Sequence, residues 1–199
     1  MSKQQKEKWT YLGLQIDSEE ELAILYWLEE LKDAGYIRTI ERAKSFSLSP
    51  ALEQHYTKEV VMKTKTKVIE KKTTLLKEHI YTPEFDILFT VKGTNLFLKD
   101  INSTEQQESK FLVSHNVYRA FIEVKADFSQ NNMERLFVVN QKWMFDKYRL
   151  FINLLKPKEL FKKTFTPKKW LLTPKTKKLK KLDWELNTLS DYIKTLETK

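Results

Sequence analysis

Tyr81-Thr82-Pro83-Glu84-Phe85-Asp86-Ile87-Leu88-Phe89 and, further along, Ala120-Phe121-Ile122-Glu123-Val124-Lys125 decide how this chain reads. Each segment alternates apolar and charged residues with period two, the signature of a half-buried strand. Side chains two apart on a strand point the same way. Glu84 and Asp86 therefore share a face of the first strand, and Glu123 and Lys125 share a face of the second. If the strands pair, their carboxylates and the lysine converge at one place. Such a place suits a metal-dependent phosphodiesterase centre. Hydrolysis of a phosphodiester needs a nucleophilic water, a stabilised leaving oxygen and neutralised phosphate charge, and hard cations held by carboxylates supply all three. Mg²⁺ takes a few carboxylates plus waters and substrate oxygens. Acids clustered without a cation between them repel one another and have raised pKa values. A lysine two residues from an acid on the same face can orient the attacking water or stabilise developing charge.

Upstream, Asp17-Ser18-Glu19-Glu20-Glu21 opens a helix. Asp17 or Ser18 can cap it, and acids in its first turn suit the helix dipole. Leu22, Leu25, Tyr26, Leu28, Leu31 and Ala34 form an apolar stripe at helical spacing, and Gly35 ends it. Dipole compensation alone accounts for Glu19, Glu20 and Glu21 and is the preferred reading of the three taken by themselves. Glu21, beside the buried stripe, is the acid placed to reach inward. Ile37 to Arg42 and Phe46-Ser47-Leu48 read as strands. Residues 51–80 read as a β-rich excursion in which Lys63, Lys65 and Lys67 line one face, where they either grip phosphates or keep an edge strand from self-association. Gly93-Thr94-Asn95 reads as a turn. Met133 to Lys147 reads as a helix with Leu136, Phe137, Asn140, Trp143, Met144 and Lys147 near one side. Tyr148 to Leu155 reads as a buried strand, so that strand, helix and strand suggest a crossover within one sheet. Trp184 to Leu196 carries apolar residues at helical spacing and reads as a final docking helix.

The chain of 199 residues is 41% apolar, enough for a core. It has no cysteine, which excludes thiolate metal sites and a cysteine nucleophile and fits a reducing cytoplasm. Its three glycines are too few for a glycine-rich phosphate loop, and His55, His79 and His115 are scattered. No apolar run approaches a membrane span, and the first residues do not resemble a signal peptide. The net charge of +9 is concentrated: Lys156 to Lys181 holds eleven lysines against the single acid Glu159. Lys168, Lys169, Lys175, Lys177, Lys178, Lys180 and Lys181 are the candidates for contact with a polyanion. Lysines rather than arginines suggest phosphate contact without base reading. Phe161, Phe165 and Trp170 either stack on bases or, the preferred reading, pin the segment to its own core. Pro157, Pro167 and Pro174 break any long amphipathic helix there, which argues against a membrane-surface role. Residues 1–156 read as a core domain and 157–199 as a basic extension of the same globule, ending in the docking helix.

Taken together, Tyr81-Thr82-Pro83-Glu84-Phe85 resembles the Tyr-x-Pro-Asp-Phe strand of PD-(D/E)XK nucleases, and Glu123-Val124-Lys125 resembles their (D/E)-x-K strand. Asp17 to Ile37 is similar to the opening helix of a phage-type branch that includes junction resolvases and transposon end-cleaving subunits. The resemblance covers roughly residues 15 to 156. It implies a restriction-endonuclease-like α/β fold, a mixed central sheet flanked by helices. It also implies Mg²⁺-dependent DNA cleavage, with Mn²⁺ substituting, and a site holding Glu21, Glu84, Glu123 and Lys125. In many members the helix after the (D/E)-x-K strand adds a Lys or Gln; here Gln141 and Lys142 stand there, Lys142 being preferred. The family has Asp after Pro where this chain has Glu84, with Asp86 two residues on; the motif favours Glu84 as metal ligand and chemical type favours Asp86. A double-strand break takes two active sites, so a homodimer or partner proteins are expected, in the host cytoplasm if the chain is phage-encoded. The alternative is a DNA-binding or assembly module on a nuclease-like fold without the chemistry.

Overall fold

A computed structural model of the chain describes residues 9–104, 110, 112–114, 118–126, 131–173 and 178–198. The chain divides into two units, Met1–Lys44 with Pro83–Lys199, and Ser45–Thr82. The division falls at 44/45 and 82/83, and residues on both sides of 156/157 belong to the larger unit. In the larger unit, β1 (Trp9–Tyr11) and β2 (Leu14–Ile16) form an antiparallel hairpin. Its turn places Leu12 and Gly13 at φ 51 and 76, a region glycine adopts without cost. Helix α1 (Glu19–Asp33) follows the N-cap Ser18. It buries Ala23, Ile24, Leu25, Trp27, Leu28 and Leu31, a wider face than the expected stripe; Ala34 is exposed. Trp27 is fully buried, stacks on Phe165 at 5.3 Å and donates through its indole N–H to Thr164 Oγ1 at 3.1 Å. Removing such a ring costs about 3–5 kcal/mol. Gly35, at φ 77, turns the chain into β3 (Ile37–Arg42).

The smaller unit is all β. β4 (Phe46–Ser49) pairs antiparallel with β7 (His79–Tyr81), and between them β5 (Leu52–Val61) and β6 (Thr66–Leu76) form a long antiparallel ribbon. Phe46, Leu48 and Tyr81 are buried, whereas nearly every ribbon residue is exposed.

Returning to the larger unit, β8 (Phe85–Phe89) leads into α2 (Val91–Phe97), a short helix where the sequence suggests a turn at Gly93. Thr90 caps it by accepting from the Gly93 N–H at 3.2 Å. A Cβ on Gly93 would lie 2.0 Å from the Tyr36 carbonyl oxygen. The glycine therefore serves close packing inside a helix and not chain reversal. β9 (Leu98–Asp100) pairs in parallel with β10 (Leu112–Ser114). β11 (Arg119–Val124), α3 (Asn131–Tyr148) and β12 (Ile152–Leu155) make the expected strand, helix, strand crossover, with β11 and β12 parallel neighbours. The helix runs through Tyr148, so the closing strand is shorter than the sequence suggests. Along α3, Phe137, Asn140 and Met144 are buried, and Leu136 and Trp143 are exposed. α4 (Pro157–Lys163) and α5 (Leu189–Glu197) complete the chain.

The central sheet is mixed, with order β12-β11-β8-β3 and β8 antiparallel to both neighbours. Phe85, Ile87 and Phe89 of β8 and Ala120, Ile122 and Val124 of β11 share one core with the buried face of α1. Phe161, Phe165, Tyr192 and Ile193 enter the same core, so residues from the C-terminal segment are part of this unit's interior. No helix among the described residues is long and apolar enough to cross a membrane.

Candidate functional site

Glu21 is drawn inward by the start of its own helix. Ser18 Oγ accepts the Glu21 N–H at 3.1 Å, while the Glu21 carboxylate reaches back to the Ser18 hydroxyl and the Asp17 N–H, both at 3.3 Å. This is a variant of the capping box in which the carboxylate takes the N–H of the residue before the cap. Glu21 is 5% exposed, whereas Glu19 in the same turn is exposed.

Glu84 is held by main chain on both sides. Its N–H donates to the Ile122 carbonyl at 2.9 Å, and its carbonyl accepts from the Ala43 N–H at 3.4 Å. That fastens it between the end of β3 and the end of β11, where Glu123 and Lys125 lie. Glu123 is 5% exposed, and the Lys125 ammonium donates to its Oε1. The Lys125 N–H donates to the Leu155 carbonyl at 3.0 Å, which ties this end of β11 to β12.

The residue that sequence reading missed is Arg42, the last of β3. Its guanidinium donates to Glu84 Oε2 and Glu21 Oε2, each at 2.6 Å, and through Nε to the Gln15 carbonyl at 2.8 Å. It also lies 5.1 Å over the Phe85 ring. Burial, then the charges of Glu21 and Glu123, push the Glu84 carboxyl up to about 7, and Arg42 opposes the shift. Carboxylates from α1, from the start of β8 and from β11 thus act on one another electrostatically. A sequence signal for Arg42 did exist: several inward-facing acids require a cation nearby. Which basic residue supplies it depends on where β3 ends against α1 and β8.

Asp86 goes elsewhere. It pairs with Arg119 at 3.1 Å. Burial raises its pKa, with Arg119 and Lys44 lowering it and Glu41 raising it. On α3, Gln141 is half-buried and donates to the Ile152 carbonyl at 2.6 Å, while Lys142 is exposed. Of the two, Gln141 is the residue turned toward the sheet.

The basic segment is partly committed to internal contacts. Lys169 donates to Glu29 Oε1 and to the Tyr11 hydroxyl, both at 2.7 Å, and these partners raise its pKa. Lys180 lies 3.9 Å over the Trp170 ring, and burial lowers its pKa. Trp170 in turn packs on Phe161 and Trp184. Phe161 and Phe165 are buried, so these aromatics pin the segment to its own core. Lys168, Lys178 and Lys181 are exposed; Lys175 and Lys177 lie outside the described residues.

Among the described residues, no three His, Cys, Asp or Glu side chains are arranged to hold a metal ion. Glu21 and Glu84 are turned onto Arg42, and Glu123 onto Lys125. The donor chemistry of Glu84 and Glu123 nevertheless fits Mg²⁺, which takes one or two carboxylates and fills its remaining positions with water and phosphate oxygens. A cation would also favour the ionised form of Glu84, the form that burial and its acidic neighbours disfavour. Comparison with protein-family models, with curated proteins and with solved structures yields no match.

Proposed function

We propose that this chain is a metal-dependent DNA endonuclease of the PD-(D/E)XK type, with a restriction-endonuclease-like fold. The observation that carries the reading is Glu84. Its main chain is bonded to Ile122, the neighbour of Glu123, its carboxylate shares Arg42 with Glu21, and burial with the charges of Glu21 and Glu123 pushes its carboxyl up to about 7. Cores avoid buried carboxylates of one sign. Their convergence from separate elements is costly unless a ligand cation or a reaction uses it. The mixed sheet, with α1 before β3 and α3 crossing from β11 to β12, supports the same reading.

Glu84 and Glu123 would hold Mg²⁺, which when bound supplies a nucleophilic water and neutralises phosphate charge. The chain's own residues do the rest. The Lys125 ammonium is oriented by Glu123 and donates hydrogen bonds to the attacking water or a phosphate oxygen. Arg42 balances Glu21 and Glu84 and holds both carboxylates on its guanidinium. Gln141 ties α3 to β12. The substrate is DNA of phage or mobile-element processing, cut as a homodimer or within a partner complex when both strands are broken.

Arg42 also favours a second reading, a DNA-binding or assembly module without cleavage. Its ion pairs satisfy Glu21 and Glu84 with no metal at all. One assay separates the two: duplex, single-stranded and branched DNA incubated with Mg²⁺ or Mn²⁺, with the Lys125→Ala variant as control. Cleavage by the wild type alone supports the nuclease. Salt-dependent binding without cleavage of any substrate supports the module.

A further inference from the structure

The β5–β6 ribbon sorts its charges by face, which follows from its register. Cross-strand partners share a face and successive residues alternate. One face presents Val60 opposite Lys67, Lys58 opposite Ile69, and Tyr56 opposite Lys71. Each of these three consecutive rungs pairs one lysine with one apolar or aromatic residue, and the lysine changes strand at each step. The other face takes every acid of the two strands: Glu53, Glu59 and Glu70, with Lys72 bonded to Glu53 at 2.6 Å. Lys58, Lys67 and Lys71 are exposed and make no ion pair among the described residues. Val60 and Ile69 are half-buried, diagonal neighbours on the basic face.

We propose that this basic face of the ribbon is a binding surface for duplex DNA. Protection of an edge strand asks only for scattered charge. It does not require that acids be cleared from one face and lysines set at three consecutive rungs of it. Rungs on one face recur about every 7 Å, so the lysines form a zigzag row of positive charge along the ribbon. A two-stranded ribbon fits the B-form major groove, and the A-form groove of duplex RNA is too narrow for it. The lysines contact phosphates, and Tyr56, Val60 and Ile69 give the face its apolar floor. The ligand is the one invoked for cleavage, but the inference stands on the ribbon's register alone and survives the loss of the nuclease reading.

The test measures binding of the full chain to a fluorescent DNA duplex in EDTA across a salt series, so that cleavage plays no part. Lys58→Gln, Lys67→Gln and Lys71→Gln combined should weaken binding at least tenfold. They should also lower the slope of log K against log salt by about 2 to 3, from about 0.9 per lost phosphate contact. Lys58→Gln alone should lower it by about 1, and Lys72→Gln, the same charge change on the opposite face, should leave it unaltered. Circular dichroism checks that each variant is folded. Equal effects of Lys58→Gln and Lys72→Gln overturn the proposal, because net charge alone then explains binding. So does a triple variant that binds DNA like the wild type, tighter binding to duplex RNA, or a loss confined to anionic phosphatidylserine vesicles.

Discussion

The carboxylate cluster of the larger unit and the ribbon of the smaller one use charge in opposite ways. In the cluster, Glu21 and Glu123 are buried, Arg42 and Lys125 are bonded to the acids, and Glu84 is left near the midpoint of its titration at neutral pH. In the ribbon, the lysines of the basic face are exposed and the acids are held on the reverse. Buried charge is strong, short-ranged and sensitive to protons. Exposed charge is weak per residue, additive and sensitive to salt. The contrast matches the proposed division between chemistry in the cluster and grip on the ribbon, and it can be broken at either end.

The largest effect belongs to the cluster. Glu123→Ala or Lys125→Ala should reduce Mg²⁺-dependent cleavage by more than about a hundredfold while leaving DNA binding intact. A variant that cuts at the wild-type rate removes the catalytic half of the contrast. Next comes the ribbon triple variant described above, which should weaken binding while leaving the melting temperature nearly unchanged.

Arg42→Ala follows. It strands two carboxylates, one of them buried, and should cost about 2–3 kcal/mol in urea unfolding at pH 8 with EDTA. The cost should shrink toward pH 5 as Glu84 takes up a proton. An unchanged midpoint would show that the guanidinium does not balance the cluster.

Glu84→Gln should move stability the other way. The carboxyl titrates at about 7 in the folded chain against 4.5 ordinarily, so the native state keeps a proton that the unfolded state has released. Stability from this group is therefore present below about pH 4.5 and is lost as pH rises through about 7. Gln avoids that loss, and without metal the variant should be more stable than wild type by about 1–2 kcal/mol at pH 8 and level with it at pH 4. A variant less stable than wild type at pH 8 would mean that the Arg42 ion pair outweighs the burial of Glu84. The smallest effect is expected from Lys178→Gln, Lys180→Gln and Lys181→Gln together. Because Lys180 is stacked on Trp170, the salt slope should fall by about 1–2 at most.

Local pattern made much of this legible. The period-two segments around Glu84 and Glu123 became β8 and β11, antiparallel neighbours as the convergence requires. The helix after Ser18 and the helix before β12 followed from apolar spacing and end signals. Such features repeat within a few residues, so neighbouring side chains decide them. Gly93 shows where local reasoning stops. Gly-Thr-Asn favours a turn in isolation, but the Thr90 cap and contact with the Tyr36 main chain make it helical.

The sequence by itself determined that acids would share a face on each of two strands, that Glu21 was the helix acid best placed to reach inward, and that positive charge would gather after Lys156. Only the tertiary structure decided which charges meet. It joined Glu84 to Glu21 and Glu123, sent Asp86 to Arg119, put Arg42 between two carboxylates and turned Lys169 onto Glu29. It also set the register that divides the ribbon into a basic and an acidic face. The physical reason is range. Periodicity is fixed by bonds between near neighbours, whereas the energy of a charge is set by burial and by whichever partner the fold delivers within a few ångströms.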